Sequence, residues 1–210
     1  MSFACIKVYQ ISILTFRKSV IKMVNHKYKI IFTHIPKTAG SSITKFLKDG
    51  SEEISNHNYL QQDLNDKTKD YFKFTFVRNP WDRCVSNFFY FKKYGNHYPK
   101  DIIMGQTINK YDSFLDFIKN IHKLSKSDLP HPHFNRQVTW LDPRIDFIGK
   151  FENLEEDFNF VAKQIGALNR ELPFVNKSNH MHYRDYYDNE ARQIIARRYK
   201  KDIERFSYEF

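Results

Sequence analysis

A chain of 210 residues with 41% hydrophobic side chains carries enough apolar mass for one domain with a substantial core, which excludes a disordered chain. Its aromatic content of 17%, with 20 Phe and 13 Tyr, points to a core of large rings or a partly aromatic ligand cleft. The net charge of +10 is uneven: Lys7, Arg17, Lys18, Lys22, Lys27, Lys29, Lys37, Lys45 and Lys48 all precede the first acidic residue, Asp49. Such a field favours an anionic partner, whether nucleic acid, a phosphorylated cofactor, a polyanion or an anionic membrane surface; the plainer reading is a solvated basic face. Two cysteines, Cys5 and Cys84, make no disulfide framework, so a reducing compartment is expected.

In chain order, "VYQISILTF" between Lys7 and Arg17 is too short to span a bilayer and lacks a small-residue cleavage site. Residues 1–28 read as a basic N-terminal extension, with a second possible start at Met23, and residues 29–210 as the domain. "KYKIIFTHI" is the first strand, and "SSITKFLKD" the first helix, with Ile43, Phe46 and Leu47 at helical spacing. "YFKFTFV" is a second strand closed by Arg78-Asn79-Pro80, after which Trp81, Val85, Phe88 and Phe89 form one helical stripe. "YDSFLDFIKNI" predicts a helix, "RIDFIGK" a third strand, and "NLEEDFNFVAKQIG" a helix ended by Gly166. "NEARQIIARRYKKDIERF" predicts one long final helix capped by Asp188. Strands alternating with helices imply an α/β fold, a P-loop-like three-layer domain with a mainly parallel central sheet flanked by helices. Its ligand site is expected at the carboxyl ends of the strands.

The stretch "FTHIPKTAGSSI" places one lysine among residues with almost no side chain. A strand that turns through such a loop straight into a helix aims backbone N–H groups and the positive end of the helix at one point. Thr38, Ala39, Gly40, Ser41 and Ser42 let an anion approach the backbone, Ser41 and Ser42 add hydroxyl donors, and Lys37 supplies a point charge. An ordinary tight βα turn is the structural alternative. The loop is not a P-loop of the GxxxxGK[ST] type, because Lys37 precedes Gly40 rather than following it. "FKFTFV" also runs into Arg78 where a Walker-B-type site needs Asp, and a cation there suits an anion site without a metal.

"HIPKTAGSS" followed by "FKFTFVRNPWDRCVSNFFYF" resembles the two cofactor-binding segments of the sulfotransferases that use 3′-phosphoadenosine 5′-phosphosulfate (PAPS). The branch it resembles includes heparan sulfate 2-O-sulfotransferase and bacterial relatives. The likeness continues through "IDFIGKFENLEEDF", "LPFVNKSNHMHYRDYYDNEARQII" and "YKKDIERFSYEF", and so covers about Lys29 to Phe210. It implies that Lys37, Thr38, Ala39, Gly40, Ser41 and Ser42 contact the 5′-phosphate and the transferring sulfate, and that Arg78 and Ser86 hold the 3′-phosphate. Lys177 and Ser178 are implied in a loop that closes over the nucleotide. The implied reaction is an in-line displacement at sulfur by an acceptor hydroxyl, with no metal required and Lys37 stabilising the leaving oxygen. The acceptor implied is a carbohydrate or another hydroxyl compound, with no specific nucleic-acid partner. The absence of a membrane anchor, against the family's Golgi-bound animal members, favours a cytoplasmic, bacterial-type enzyme, with peripheral membrane contact open to the basic N-terminus.

The acceptor hydroxyl must lose its proton, and among nine histidines His57 is the first candidate for catalytic base. It occupies the region of the family's His-x-His pair, although Ser55 stands at the earlier position. His131 and His133, in a Pro-broken loop with Arg136, Gln137 and Trp140, form a rival site suited to acceptor binding. His34 reads as a strand residue supporting the loop, and Glu152 as a second possible base or a helix-dipole partner. A nucleoside or small-molecule kinase and a non-enzymatic polyanion-binding module remain the alternatives; the ordered pair of motifs speaks against both.

Overall fold

Ile30, Ile31 and Phe32, like Phe74, Phe76 and Val77, are withdrawn from solvent on both faces of their strands, the pattern of parallel strands covered on each side. A computed structural model describes residues 21–48, 67–124, 131–168, 171–173 and 181–210. Within them a sheet runs in the order β1 (Ile21–Asn25), β2 (Ile30–His34), β3 (Phe72–Val77) and β4 (Phe147–Lys150). β2, β3 and β4 are parallel, whereas β1 lies antiparallel on β2, with Asn25 opposite Ile30. The sheet is therefore mixed, and an α/β fold with a mainly parallel core is observed. Ile21–Asn25, which the sequence places in the N-terminal extension, forms the edge strand. Asn25 anchors it: its Oδ1 accepts from Tyr28 N at 3.0 Å and its Nδ2 donates to Leu47 O at 2.8 Å.

Strand parity assigns the layers. Ile30, Phe32, Phe74 and Phe76 share one face with Ile43, Phe46 and Leu47 of α1 (Gly40–Lys48) and Phe158, Val161 and Ala162 of α5 (Leu154–Gln164). Residues of the other parity, Ile35 and Val77, join a second cluster. It is built on α2 (Pro80–Lys92), α3 (Pro99–Ile108), α4 (Phe114–Asn120), α6 (Asn189–Arg198) and α7 (Lys200–Phe206). Each fully buried Phe or Ile here stabilises the fold by roughly 1.5–3 kcal/mol. Asn79 caps α2 by accepting from Trp81 N at 3.0 Å, with Pro80 in the first turn, where a missing N–H costs nothing. The β3–α2 junction is thus sharp, which sets Arg78 at the strand's carboxyl end.

Two helices depart from the sequence reading. α3 was not expected, because its buried face carries Asp101, Gly105 and Thr107 beside Met104 and Ile108, which blurs the apolar period. Gly105 is needed there: a Cβ would lie 2.5 Å from the Tyr94 ring and 2.9 Å from Phe91 O. The single long final helix is instead two, broken at Tyr199, which caps α6 with a non-helical backbone. The Tyr199 side chain is buried and its hydroxyl donates to Phe134 O at 3.0 Å. One turn on, the Asp202 carboxylate accepts from Gln137 N at 2.8 Å and Val138 N at 2.9 Å.

Candidate active site

The β2–α1 loop is shaped more unusually than its small residues foretell. Lys37 and Ala39 both take left-handed backbone conformations, with φ of 68° and 66°, although neither is glycine. Each such residue costs roughly 1–2 kcal/mol, and left-handed residues alternating with ordinary ones are the backbone pattern from which concave anion nests are built. Ala39 O accepts from Ser42 N at 3.0 Å and Ile43 N at 3.1 Å, which starts α1 directly behind the nest. Thr38 is fully buried and its hydroxyl donates to Ile35 O at 2.9 Å, so the side chain shapes the loop. Ser41 is exposed and Ser42 buried.

Beneath the loop lies His34. Its ring occupies the space a Cβ on Gly40 would fill, only 1.9 Å from that position, so the close approach of imidazole to backbone requires glycine. Burial, then the charge of Lys37, lowers the His34 pKa to about 4, and the ring is neutral support for the loop. The Lys37 ammonium sits 4.4 Å from the Tyr90 ring centroid. Burial first and then Arg78 lower its pKa to about 8, which leaves it cationic at neutral pH and close to titrating.

Arg78 connects the two segments that the sequence singled out. Its Nη1 donates to Lys37 O at 3.2 Å, its Nε pairs with Asp82 Oδ2 at 2.9 Å, and its guanidinium lies 4.0 Å from the Phe151 ring centroid. Gln137, read from the sequence as a neighbour of an acceptor site, instead brackets the Arg78 backbone. Its Oε1 accepts from Arg78 N at 2.9 Å and its Nε2 donates to Arg78 O at 2.7 Å. Trp140 is likewise buried, and Arg136 Nε donates to Arg198 O at 3.0 Å. Ser86 is buried on α2, one helical turn beyond Asp82. Glu152 accepts from Asn79 N at 2.6 Å through Oε1 and from Tyr208 Oη at 3.1 Å through Oε2, so both its oxygens hold structure.

The rival histidines stand beside Lys37. Tyr90, whose ring carries the ammonium, stacks on His133 with centroids 5.3 Å apart, and His131 meets His133 edge-on at 4.3 Å. Behind them the buried Asp101 accepts from His131 Nε2 at 2.9 Å, Tyr90 Oη at 3.1 Å and Asn96 N at 2.9 Å. The loop bearing His133 is tied to the nest by Arg83. That residue is 1% exposed and donates to Pro36 O at 3.1 Å, Asn135 O at 3.0 Å and His133 O at 2.7 Å. Sequence reasoning missed Arg83, because a charged residue between Asp82 and Cys84 carries the signal of a solvated helix face. His57, Lys177 and Ser178 lie outside the described residues.

A mixed α/β domain with a left-handed, small-residue loop at one strand end, and a buried arginine at the next donating to that loop's backbone, has the architecture of domains that bind phosphates at strand ends. Residues 22–209 match the model of the sulfotransferase family (Sulfotransfer_2), and the chain belongs to that family. Carbohydrate sulfotransferase 9 of Homo sapiens is 27% identical, the match covering 87% of this chain and 48% of that protein. Carbohydrate sulfotransferase 14 of Danio rerio is 23% identical over 72% of this chain and 50% of its own length. An uncharacterized protein of Archaeoglobus fulgidus is 32% identical over 46% of this chain and 68% of its own length. The chain spans about half the length of the carbohydrate sulfotransferases it matches. No solved structure matches it. Among the described residues, no helix is long and apolar enough to cross a membrane.

Proposed function

We propose that the protein transfers a sulfuryl group from PAPS to a hydroxyl of a carbohydrate, in a cytoplasmic setting. The observation that carries this reading is the contact between the two anion-binding segments. The Arg78 guanidinium reaches the carbonyl of Lys37, so one cation stands at the nest and another within hydrogen-bond distance of its backbone. The residues fit the group. The small, concave loop admits a phosphosulfate to the backbone N–H groups of Lys37 to Ser41, with the Ser42 N–H already donated to Ala39 O, and Arg78 and Ser86 offer donors for a second phosphate. PAPS supplies an activated sulfuryl group on a phosphate leaving group.

The chain's own residues then account for the rest. The N–H nest and the α1 N-terminus bind and orient negative charge. The Lys37 ammonium, held in a largely desolvated position, stabilises charge that grows on the leaving oxygen more than charge already present, which is the condition for raising turnover. Asp82 orients Arg78, and Gln137 holds the backbone from which Arg78 projects. The named relatives are carbohydrate sulfotransferases, which supports a carbohydrate acceptor.

Calorimetry separates this reading from a kinase. 3′,5′-bisphosphoadenosine is expected to bind more tightly than adenosine 5′-phosphate by roughly 1.5–3 kcal/mol, the worth of a charged hydrogen bond to the 3′-phosphate. Equal affinity for the two nucleotides, or tighter binding of ATP with magnesium, removes the assignment.

A further inference from the structure

We propose that His133 is the general base of the transfer reaction and that Asn87 fixes the tautomer that makes it one; this rests on the sulfotransferase reading above. The orientation of the Asn87 amide is settled by its neighbours. Its Nδ2 donates to His133 O at 3.0 Å, and a carbonyl can only accept, so Oδ1 is the atom facing the ring. His133 Nδ1 lies 3.0 Å from that Oδ1 and must therefore carry the proton. Nε2 is left with its lone pair, the atom a base needs.

The position suits the task as well as the tautomer does. His133 stacks on Tyr90, the ring that carries the Lys37 ammonium, so the base and the cation assigned to the leaving oxygen share one aromatic wall. Arg83 bonds both Pro36 O and His133 O, which locks the His133 loop to the anion nest. The other described groups near the nest are less available. His131 Nε2 is bound to Asp101 and its Nδ1, which has no hydrogen-bond partner among the described residues, is buried; His34 is packed under Gly40, and both Glu152 oxygens accept hydrogen bonds. Burial lowers the His133 pKa well below the usual histidine value, with His131, Lys37, Arg83 and His34 as the charged or titratable groups around it and Tyr90 stacked on it. The imidazole is therefore neutral at physiological pH, and an anionic donor bound beside it raises its basicity toward the working range.

In the step this assigns, the acceptor O–H gives its proton to His133 Nε2 while its oxygen bonds to sulfur. The S–O bond to the 5′-phosphate breaks, and its electron pair leaves on the phosphate oxygen beside Lys37. Proton, sulfuryl group and electron pair are all accounted for without a further reactant.

Two measurements test the assignment. ¹⁵N NMR of the wild-type imidazoles, with His133→Gln to identify the resonance, is expected to show Nδ1 protonated and Nε2 bare, and Asn87→Ala to move His133 toward the other tautomer. Sulfuryl transfer is expected to fall by about 10²-fold or more in His133→Gln, and about tenfold or more in Asn87→Ala, with 3′,5′-bisphosphoadenosine affinity within about twofold of wild type. A protonated Nε2 in the wild type overturns the proposal, and that reading needs no variant to fold. Near-normal turnover in His133→Gln with transfer lost in His57→Ala also overturns it, moving the base to His57 and leaving the transferase intact. A wild-type protein that transfers to no hydroxyl acceptor overturns both the base and the function.

Discussion

Lys37→Ala is expected to lower turnover by about 10²–10³-fold, the scale for removing one preorganised charge stabiliser, while weakening binding of the product nucleotide much less. The difference follows from where the ammonium acts. Backbone N–H groups of the nest remain in the variant and still bind ground-state charge, whereas charge building on the leaving oxygen loses its cation. The pH dependence carries the same signature. With a free-protein pKa of about 8, Lys37 is charged below that value and loses its proton as pH rises through it. kcat/KM for the nucleotide donor, which reports groups of the free enzyme, is expected to fall above about pH 8, and kcat to hold to higher pH because the bound anion favours the ammonium. Steady-state kinetics of both proteins across pH check this, and unchanged turnover at saturating donor reduces Lys37 to a binding residue.

Arg83→Ala is expected to be among the most destabilising single substitutions in the chain. One guanidinium satisfies Pro36 O, Asn135 O and His133 O in a site 1% exposed. Pro36 O and Asn135 O left unpaired cost about 1–3 kcal/mol each, while His133 O keeps its bond from Asn87 Nδ2, and with the cavity left behind the loss reaches roughly 3–5 kcal/mol, the upper end for one residue. For a chain of this size that corresponds to a fall in Tm of roughly 6–20 °C. Thermal unfolding followed by circular dichroism reads it directly. A shift under 2 °C would mean that Pro36 O and Asn135 O find other partners and that the nest and the His133 loop are held together by something else.

The parts of the molecule legible in the sequence are those whose cause is local. The β2–loop–α1 unit is written as an apolar run, a cluster of small residues and helical spacing at Ile43, Phe46 and Leu47, and all three side chains are buried as that spacing requires. Asp188 caps its helix as expected, accepting from Ala191 N at 2.8 Å. Features that depend on distant partners were not legible. β1 owes its order to pairing with β2, the break at Tyr199 is tied to Phe134 and the 137–140 turn, and α3 hides its buried face behind Asp101 and Gly105.

The site divides in the same way. Lys37 and Arg78 could be singled out because each follows closely on a strand, but nothing in the sequence says that they meet through the Lys37 carbonyl. The left-handed backbone at Lys37 and Ala39 has no glycine to announce it. Gln137 was read as facing a ligand because it is polar and sits in a loop; in the fold it is fully buried and holds the Arg78 backbone. Arg83 and Asn87 look like exposed helix positions until the His133 loop, far along the chain, is brought over them.

The most direct test of sulfuryl transfer is incubation of the protein with ³⁵S-labelled PAPS and a panel of carbohydrates, following label on the carbohydrate and release of 3′,5′-bisphosphoadenosine together. Protein-dependent label on a hydroxyl is predicted, with one equivalent of nucleotide released for each sulfuryl group moved, and the rate of both signals is predicted to fall by about 10²–10³-fold in Lys37→Ala. No nucleotide release above the spontaneous rate across the panel would contradict it.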